Sequence, residues 1–334
     1  MTKIAVIGAG SWGTALALVL ADNGNDVMVY DIDEEVIKDI NESHQNSKFF
    51  DGVVLPTKLK ATTDLEIALK DAHFALLSVP TKVMRVALTH MKAFLLPSTV
   101  IINASKGIEP GSHKRVSEVV AEVLGSNTTF VALSGPSHAE EVIIRELTTV
   151  TCASLNSDCL TSIQILFSND YFRVYSTFDL IGVEVGASVK NVMALGSGIL
   201  AGLGYGDNAR AALITRSLVE IKRLGVAIGA KEETFDGLSG LGDLIVTATS
   251  QHSRNFQAGY KIGSGSDLNE VLDSMTMVVE GVRTCQATYE LAEKLKIDMP
   301  IVNAIYDVVF NRNNPKDMIA KIMKRPIKAE GSNI

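Results

Sequence analysis

Three glycines near the start of the chain are spaced to hold a phosphate group. Gly8, Gly10 and Gly13 form the pattern G-x-G-x-x-G, which follows a β-branched run at 4–7 and precedes an apolar run at 15–20. The first glycine allows a sharp turn, the second lets the backbone approach a pyrophosphate, and the third lets helix and strand pack closely. The pyrophosphate then faces the positive end of the helix. The pattern therefore predicts a dinucleotide-binding strand, turn and helix.

An acidic residue at the end of the next predicted strand supports this prediction. Asp31 and Asp33 lie at the end of an apolar run about 20 residues after the glycines, where an acidic side chain binds the adenosine ribose. Because no charge lies between Lys3 and Asp22, hydropathy alone also allows a signal peptide or a short membrane helix. The glycines and the acidic residue disfavour both of these alternatives.

Two lysines are candidates for proton transfer or ligand binding. Lys190 lies in an apolar helical run, and none of its neighbours three or four positions away can pair with it. It either points to solvent or is kept in a dry site, where desolvation lowers its pKa toward values useful for proton transfer. Lys106 follows a predicted strand, so it either faces a ligand at the sheet edge or is a solvated loop lysine.

Two further segments suit an anionic or polar ligand. Ser253 is a predicted helix N-cap with Arg254 and Asn255 in the first turn. A cation is unfavourable there unless an anion binds at the same place, and otherwise Arg254 is a surface arginine. Gly135 and Ser137 follow another predicted strand, and this turn either holds a polar ligand or caps a helix.

Two different patterns of secondary structure carry these residues. Up to residue 180, apolar runs alternate with helical patterns, which predicts a mostly parallel, doubly wound sheet. From residue 181, long helices follow one another. We therefore expect an α/β protein with an N-terminal Rossmann-type dinucleotide-binding domain (1–180), an all-α C-terminal substrate-binding domain (181–334) and a substrate cleft between them. The predicted strands are 4–8, 26–31, 73–79, 99–104, 129–133, 148–153 and 171–176. The predicted helices include 82–94, 112–124, 156–168, 179–203, 207–228, 253–261 and 278–295.

The composition argues against several other classes of protein. The chain of 334 residues has a formal net charge of −7 and no basic run, which disfavours a nucleic-acid partner or an anionic-membrane patch. Its three cysteines, Cys152, Cys159 and Cys285, lack metal-ligand spacing and suit a reducing cytosol. We therefore expect a cytoplasmic protein with no metal site and no integral membrane segment.

Five motifs together resemble bacterial NAD(P)-dependent glycerol-3-phosphate dehydrogenase. They span most of the chain in the order typical of that family. The resemblance implies hydride transfer between NAD(P)H and dihydroxyacetone phosphate, which gives sn-glycerol 3-phosphate for phospholipid synthesis. The motifs are Gly8-Ala9-Gly10-Ser11-Trp12-Gly13-Thr14-Ala15-Leu16, Ser134-Gly135-Pro136, Val189-Lys190-Asn191, Gly240-Leu241-Gly242-Asp243 and Ser253-Arg254-Asn255.

The resemblance also implies roles for the matching residues, and it adds the expectation of a homodimer. Lys190 is the implied general acid/base, and Lys106 and Asp243 assist it. With the glycines and Asp31 included, the predicted cofactor-binding residues are Gly8, Gly10, Ser11, Trp12, Gly13, Asp31, Lys106, Ala139, Arg254, Val278 and Glu280. The implied substrate-binding residues are Lys106, Gly135, Ser137, Lys190, Asp243, Ser253, Arg254 and Asn255.

The residues after the second predicted strand depart from the family pattern. Many relatives carry arginine or histidine there, where it can meet the 2′-phosphate of NADP, but this chain has Asp31 and Ile32. Ile32 cannot bind a phosphate electrostatically, and Asp31 repels one while suiting a ribose diol. We therefore predict that NADH is preferred over NADPH. Two rival functions remain at this point, a 6-phosphogluconate-type dehydrogenase and a non-catalytic NADH-binding redox sensor.

Overall fold

The backbone divides into two compact units. A computed structural model describes residues 2–275, 279–327 and 329–330. The first unit comprises Met1–Ser105 and Lys114–Leu180, and the second comprises Lys106–His113 and Ile181–Ile334. Lys106 therefore belongs to the second unit, although it follows a strand of the first.

The first unit is a sheet of eight strands with helices between them. Its strands are β1 (Lys3–Ile7), β2 (Asp26–Tyr30), β3 (Lys60–Thr62), β4 (Phe74–Leu77), β5 (Val100–Asn103), β6 (Phe130–Ser134), β7 (Thr148–Ala153) and β8 (Phe172–Thr177). Its helices are α1 (Ser11–Asp22), α2 (Glu34–Lys38), α3 (Leu65–Leu69), α4 (Thr81–Met91), α5 (Val116–Leu124), α6 (Ala139–Val142) and α7 (Ser157–Phe167). A π-helical turn, Asp39–Ser43, follows α2.

The strand order confirms the predicted doubly wound sheet. The order is β3-β2-β1-β4-β5-β6-β7-β8, and the first six strands are parallel. Their order matches the 3-2-1-4-5-6 arrangement of dinucleotide-binding folds. Strand β7 runs antiparallel to β6 and parallel to β8. The carboxyl ends of β1 and β4 therefore lie side by side where the strand order reverses, which is where such folds bind ligands.

The uncharged stretch near the start of the chain is the centre of this unit. Residues 4–6 of β1 and 15–20 of α1 are fully buried, because α1 packs on the sheet with side chains on every face covered. In the part of the chain that the structure describes, no helix has both the length and the hydropathy needed to cross a membrane.

Several predicted boundaries were wrong for local reasons. The predicted strand 4–8 ends at Ile7, because Gly8 has a φ of +109° and begins the turn. The predicted helix 112–124 begins only at Val116, because His113 has a φ of +58° and the N-cap residue Arg115 has extended backbone. Strand β3 was missed, since three residues are too few to show a period of two.

The second unit has helices and no strand among its described residues, which confirms the predicted all-α C-terminal part. Its helices are α8 (Leu180–Gly202), α9 (Asp207–Ala227), α10 (Asp243–Thr249), α11 (Arg254–Gly263), α12 (Leu268–Asp273), α13 (Glu280–Leu295), α14 (Pro300–Val309) and α15 (Pro315–Met323). A 3₁₀ helix, Glu232–Asp236, and a π-helical turn, Leu238–Gly242, precede α10. The unit has its own apolar core, centred on residues such as Leu195, Phe235 and Leu244.

Two glycines allow the backbones of α8 and α11 to touch. A Cβ atom at Gly198 would lie 2.1 Å from the carbonyl oxygen of Phe256, and one at Gly259 would lie 2.0 Å from that of Leu195. Only glycine fits at either position, because a Cβ atom in a real structure does not approach a backbone atom that closely. This contact fixes the start of α11 against the middle of α8, and both segments carry predicted site residues.

Candidate functional site

The glycine-rich turn of the first unit is shaped by contacts that exclude side chains. A Cβ atom at Gly13 would lie 1.9 Å from the carbonyl oxygen of Gly8, and one at Gly8 would lie 2.6 Å from that of Ser78, which follows β4. At Gly10, by contrast, no described atom other than those of Gly10 and its two chain neighbours lies within 4 Å of the Cβ position. Gly8 and Gly13 are thus needed for packing, whereas the space beside Gly10 is open to a ligand.

The first turn of α1 fits the pyrophosphate of a dinucleotide. Gly10 is its N-cap, and no side chain among the described residues caps the amide groups of this turn. These N–H groups therefore point toward any phosphate beside Gly10, as in other phosphate-binding helix termini. The Nε1 atom of Trp12 is buried and finds no acceptor within the described ranges. A buried donor of this kind is the sort of group that a bound ligand satisfies.

Asp31 holds the turn in place from the end of β2. Its Oδ2 accepts a hydrogen bond from the Ala9 N–H at 2.6 Å, and its Oδ1 accepts one from the Asp33 N–H at 3.1 Å. Asp33 in turn pairs with Lys48 at 2.6 Å, and Ile32 is 82% exposed. The carboxylate next to the turn is therefore part of its structure, and an uncharged side chain projects into solvent beside it.

Lys190 and Lys106 share one carboxylate in the second unit. Lys190 lies on α8, and its Nζ donates to Oδ1 of Asp243, the first residue of α10. Oδ2 of the same carboxylate accepts from Lys106 Nζ at 2.8 Å. Lys190 is 4% exposed and Asp243 is 1% exposed. The structure therefore brings together the three predicted catalytic residues, and Lys190 finds its partner on another helix.

The surroundings of this cluster oppose a charge on Lys190. Burial lowers the pKa of Lys190 to about 7. The attraction of Asp243 raises this pKa but only partly offsets the desolvation, and the positive charge of Lys106 lowers it further. Burial also acts to raise the pKa of Asp243, but the two neighbouring ammonium groups outweigh it and keep this pKa below its ordinary value. Asp243 is thus ionised at neutral pH while Lys190 is close to its midpoint.

Thr247 is a member of the cluster that sequence reasoning missed. Its Oγ1 donates to the Asp243 carbonyl at 2.6 Å and accepts from Lys190 Nζ at 2.8 Å. Because the hydroxyl proton is used by the carbonyl, only a lone pair of Oγ1 faces Lys190. Asp243 and Thr247 are four residues apart on α10, so their shared helix face was a signal available in the sequence.

The residue next to Lys190 connects three helices. Asn191 Oδ1 accepts from Asn255 Nδ2 at 2.9 Å, and Asn255 Oδ1 accepts from the Gly281 N–H of α13 at 2.8 Å. Ser253 caps α11 as predicted, since its side chain accepts from the Phe256 N–H. Of the predicted substrate residues, Asn255 is therefore held against the neighbour of Lys190 on α8, and Ser253 lies two positions before it at the cap of α11.

The remaining predicted residues lie in the two separate units. In the first unit, Ser137 Oγ donates to the Gly135 carbonyl at 2.8 Å, and Ala139 begins α6. A Cβ atom at Gly135 would lie 2.8 Å from Val150 of β7, so this glycine has a packing role of its own. In the second unit, Arg254 begins α11 and Glu280 begins α13. Val278 lies outside the described residues.

Comparison with known proteins gives matches along the chain. The family model for the N-terminus of NAD-dependent glycerol-3-phosphate dehydrogenase matches residues 3–160. The model for the C-terminus of the same family matches residues 179–320. Glycerol-3-phosphate dehydrogenase (NAD(P)+) of Bacillus thuringiensis (strain Al Hakam) is 54% identical, over 99% of this chain and 98% of that relative.

Solved structures resemble the two units as well. The crystal structure of glycerol-3-phosphate dehydrogenase from Coxiella burnetii has a TM-score of 0.93 and 37% identity, over 97% of this chain and 99% of that one. Glycerol-3-phosphate dehydrogenase of Plasmodium falciparum has a TM-score of 0.90 at 23% identity, over 98% of this chain and 97% of that one. At this lower identity the second match shows the fold alone.

Proposed function

The chain belongs to the NAD-dependent glycerol-3-phosphate dehydrogenase family, and on this premise we propose that Lys190, Lys106 and Asp243 carry its reaction. The reaction is the interconversion of dihydroxyacetone phosphate and sn-glycerol 3-phosphate with NAD(P)H as the reductant. The observation that carries the proposal is the single Asp243 carboxylate shared by two lysines, one of which is buried with a pKa of about 7.

Each member of the cluster has a distinct task in this proposal. A bound nicotinamide coenzyme would supply the hydride for the C2 carbonyl carbon. Lys190, in its ammonium form, gives a proton to the C2 oxygen as negative charge develops there, and in the reverse direction its amine removes that proton. Asp243 and Thr247 hold the Lys190 nitrogen in one direction. Lys106 adds a second positive charge, which favours a phosphorylated substrate and lowers the pKa of Lys190.

The other site residues are assigned to two ligands. We assign the coenzyme to Gly8, Gly10, Ser11, Trp12, Gly13, Asp31 and Ala139 of the first unit, together with Lys106, Arg254, Val278 and Glu280. The substrate is assigned to Gly135, Ser137, Ser253, Arg254 and Asn255, besides the three catalytic residues. The open space beside Gly10 and the uncapped first turn of α1 support the coenzyme assignment. The N-terminal domain (1–180) then binds the dinucleotide, and the helical domain (181–334) binds the substrate.

The assay that tests the reaction is simple. Purified protein is mixed with dihydroxyacetone phosphate, and the loss of NADH absorbance is followed. Oxidation of NADH with formation of sn-glycerol 3-phosphate is the expected result. Coenzyme binding without turnover would instead favour the non-catalytic sensor, and turnover of 6-phosphogluconate would favour the other dehydrogenase.

The pKa of Lys190 sets opposite pH dependences for the two directions of the reaction. Ketone reduction needs the ammonium form, so its kcat/KM should be constant below pH about 7 and fall above it. Alcohol oxidation needs the free amine, so its kcat/KM should rise through the same pH. The measurement is a pH profile of kcat/KM in both directions, with NADH affinity at each pH as the control. A common direction of change, or a midpoint near the ordinary lysine pKa, would contradict the assignment.

A preference for NADH over NADPH is the second part of the proposal. The Asp31 carboxylate lies against the turn and would repel a 2′-phosphate, and exposed Ile32 offers it no charge. We expect kcat/KM to be higher with NADH, and Ile32→Arg to raise kcat/KM for NADPH about fivefold or more, since a phosphate gains a charge-assisted partner. Ile32→Gln serves as the uncharged control. Equal use of the two coenzymes by the unaltered protein would overturn the preference.

We also propose that the protein works in the cytoplasm as a homodimer. The three cysteines are free and buried, and they form no disulfide, as suits a reducing compartment. Dimer formation is inferred from the family alone.

A further inference from the structure

The segment that carries Lys106 is held at both ends by side-chain contacts, an ion pair at its start and a hydrogen bond at its end. Residues 106–113 form one contiguous stretch of the second unit. At its start, Lys106 Nζ pairs with Asp243 Oδ2 at 2.8 Å. At its end, the Nε2 atom of His113 pairs with Glu290 Oε2 on α13. The stretch is thus tied to α10 at one end and to α13 at the other.

Glu290 is arranged to hold His113. Its second carboxylate oxygen, Oε1, accepts a hydrogen bond at 2.9 Å from Nε2 of Gln286, one turn earlier on α13. The hydrogen bond with His113, and then the one from Gln286, lower the pKa of Glu290 below its ordinary value. Glu290 is therefore ionised at neutral pH, and both of its oxygens are engaged. The contact is partly exposed, with 20% of the His113 side chain and 37% of the Glu290 side chain accessible to solvent.

The backbone between these two side-chain contacts is a tight turn. Gly111 and His113 have φ values of +80° and +58°, and the His113 N–H donates to the Glu109 carbonyl at 3.0 Å. Left-handed backbone at a residue other than glycine persists only where surrounding contacts hold it. The middle of the stretch is anchored by Ile108, which is 3% exposed. Loss of the His113 contact would therefore loosen the turn that follows Lys106 and Ile108.

We propose that His113 and Glu290 are positioning residues for Lys106. By fixing the end of residues 106–113, they hold the Lys106 ammonium on Oδ2 of Asp243 and so maintain the charge that acts on Lys190. The inference rests on the proposed function, because it concerns the efficiency of the same cluster. Their effect on the reaction passes through Lys106 alone.

A double-mutant cycle tests whether the effect passes through Lys106. Glu290→Ala should lower kcat/KM for dihydroxyacetone phosphate about two- to fivefold, a modest loss because the contact removed is partly exposed to solvent. Glu290→Gln keeps an acceptor for His113, so its kcat/KM should fall less than that of Glu290→Ala. In the Lys106→Ala background, Glu290→Ala should have no further effect, because residues that act as one unit are not additive. Glu293→Ala, at an exposed position on the same helix, is the matched control and should change neither background.

The possible results separate this inference from the proposed function. An equal loss in both backgrounds, or no loss in the unaltered protein, would overturn the positioning role. A Lys106→Ala variant with unchanged kcat/KM would instead contradict the role assigned to Lys106 itself. The melting temperature of Glu290→Ala should match that of Glu293→Ala, and a large drop confined to Glu290→Ala would mean that the pair serves stability rather than Lys106.

Discussion

Replacing Lys190 by alanine is expected to lower kcat for reduction of dihydroxyacetone phosphate by about 10²- to 10⁴-fold, the usual contribution of a positioned general acid. The C2 oxygen then has no buried proton donor, while the glycine-rich turn to which we assign the coenzyme is untouched. Affinity for NADH should therefore remain within about twofold of the original value, a change well under 1 kcal/mol. The measurements are steady-state kinetics and a fluorescence titration with NADH.

The Lys190→Ala variant should remain folded, which makes its kinetics interpretable. Asp243 keeps Lys106 as a partner at 2.8 Å, so no buried carboxylate is left without a cation. The side chain removed is one whose charge is disfavoured by burial. Lys294→Ala, at an exposed lysine of α13, is the control for loss of a charge. A kcat within about tenfold of the original would contradict the assignment of Lys190 as general acid.

Of the substitutions considered, Asp243→Asn should lower the free energy of unfolding most. The substitution leaves Lys106 and Lys190 facing each other without the carboxylate that both contact. Removal of one partner from a buried ion pair costs about 3–5 kcal/mol of unfolding free energy. Asp236→Asn is the matched control, because it breaks the more exposed pair with Lys222, where the cost is under about 1 kcal/mol. Urea unfolding of the two variants gives the comparison.

The loss of unfolding free energy caused by Asp243→Asn should depend on pH in a defined direction. Without Asp243, the pKa of Lys190 falls below about 7, because the attraction that raised it is gone. At pH values between this new pKa and about 7, Lys190 is deprotonated in the folded variant but protonated in the unfolded chain, so the variant gains stability as the pH rises. In the original protein Lys190 stays protonated over this range, so its stability does not rise in the same way. The deficit should therefore be larger in acid than at neutral pH.

The pH profile of ketone reduction should move in the same variant. Its falling limb is expected at lower pH than in the original protein, since Lys190 loses its proton earlier. Equal stability of Asp243→Asn and Asp236→Asn, or an unmoved limb, would contradict the view that Asp243 sustains the charge of Lys190.

Local sequence was enough to predict the first turn of the fold and the cap of α11. Gly8, Gly10 and Gly13 lie within six positions of one another, so the strand, turn and helix are encoded by neighbours. Ser253 caps its helix through an amide three residues on. By contrast, the short strand β3 and the antiparallel pairing of β7 depend on contacts with distant strands. Periodicity in one segment contains no information about the direction of its neighbour.

What the sequence determined by itself is the class of fold, the glycine-rich turn after β1 and the set of residues with suitable chemistry. What only the tertiary structure decided is which of those residues meet. Lys190 has no partner on its own helix, and its contacts with Asp243 and Thr247 join residues more than 50 positions apart. Lys106 reaches the same carboxylate from 137 positions away. The physical reason is that a pKa depends on burial and on nearby charges, and both arise only when separate helices pack together.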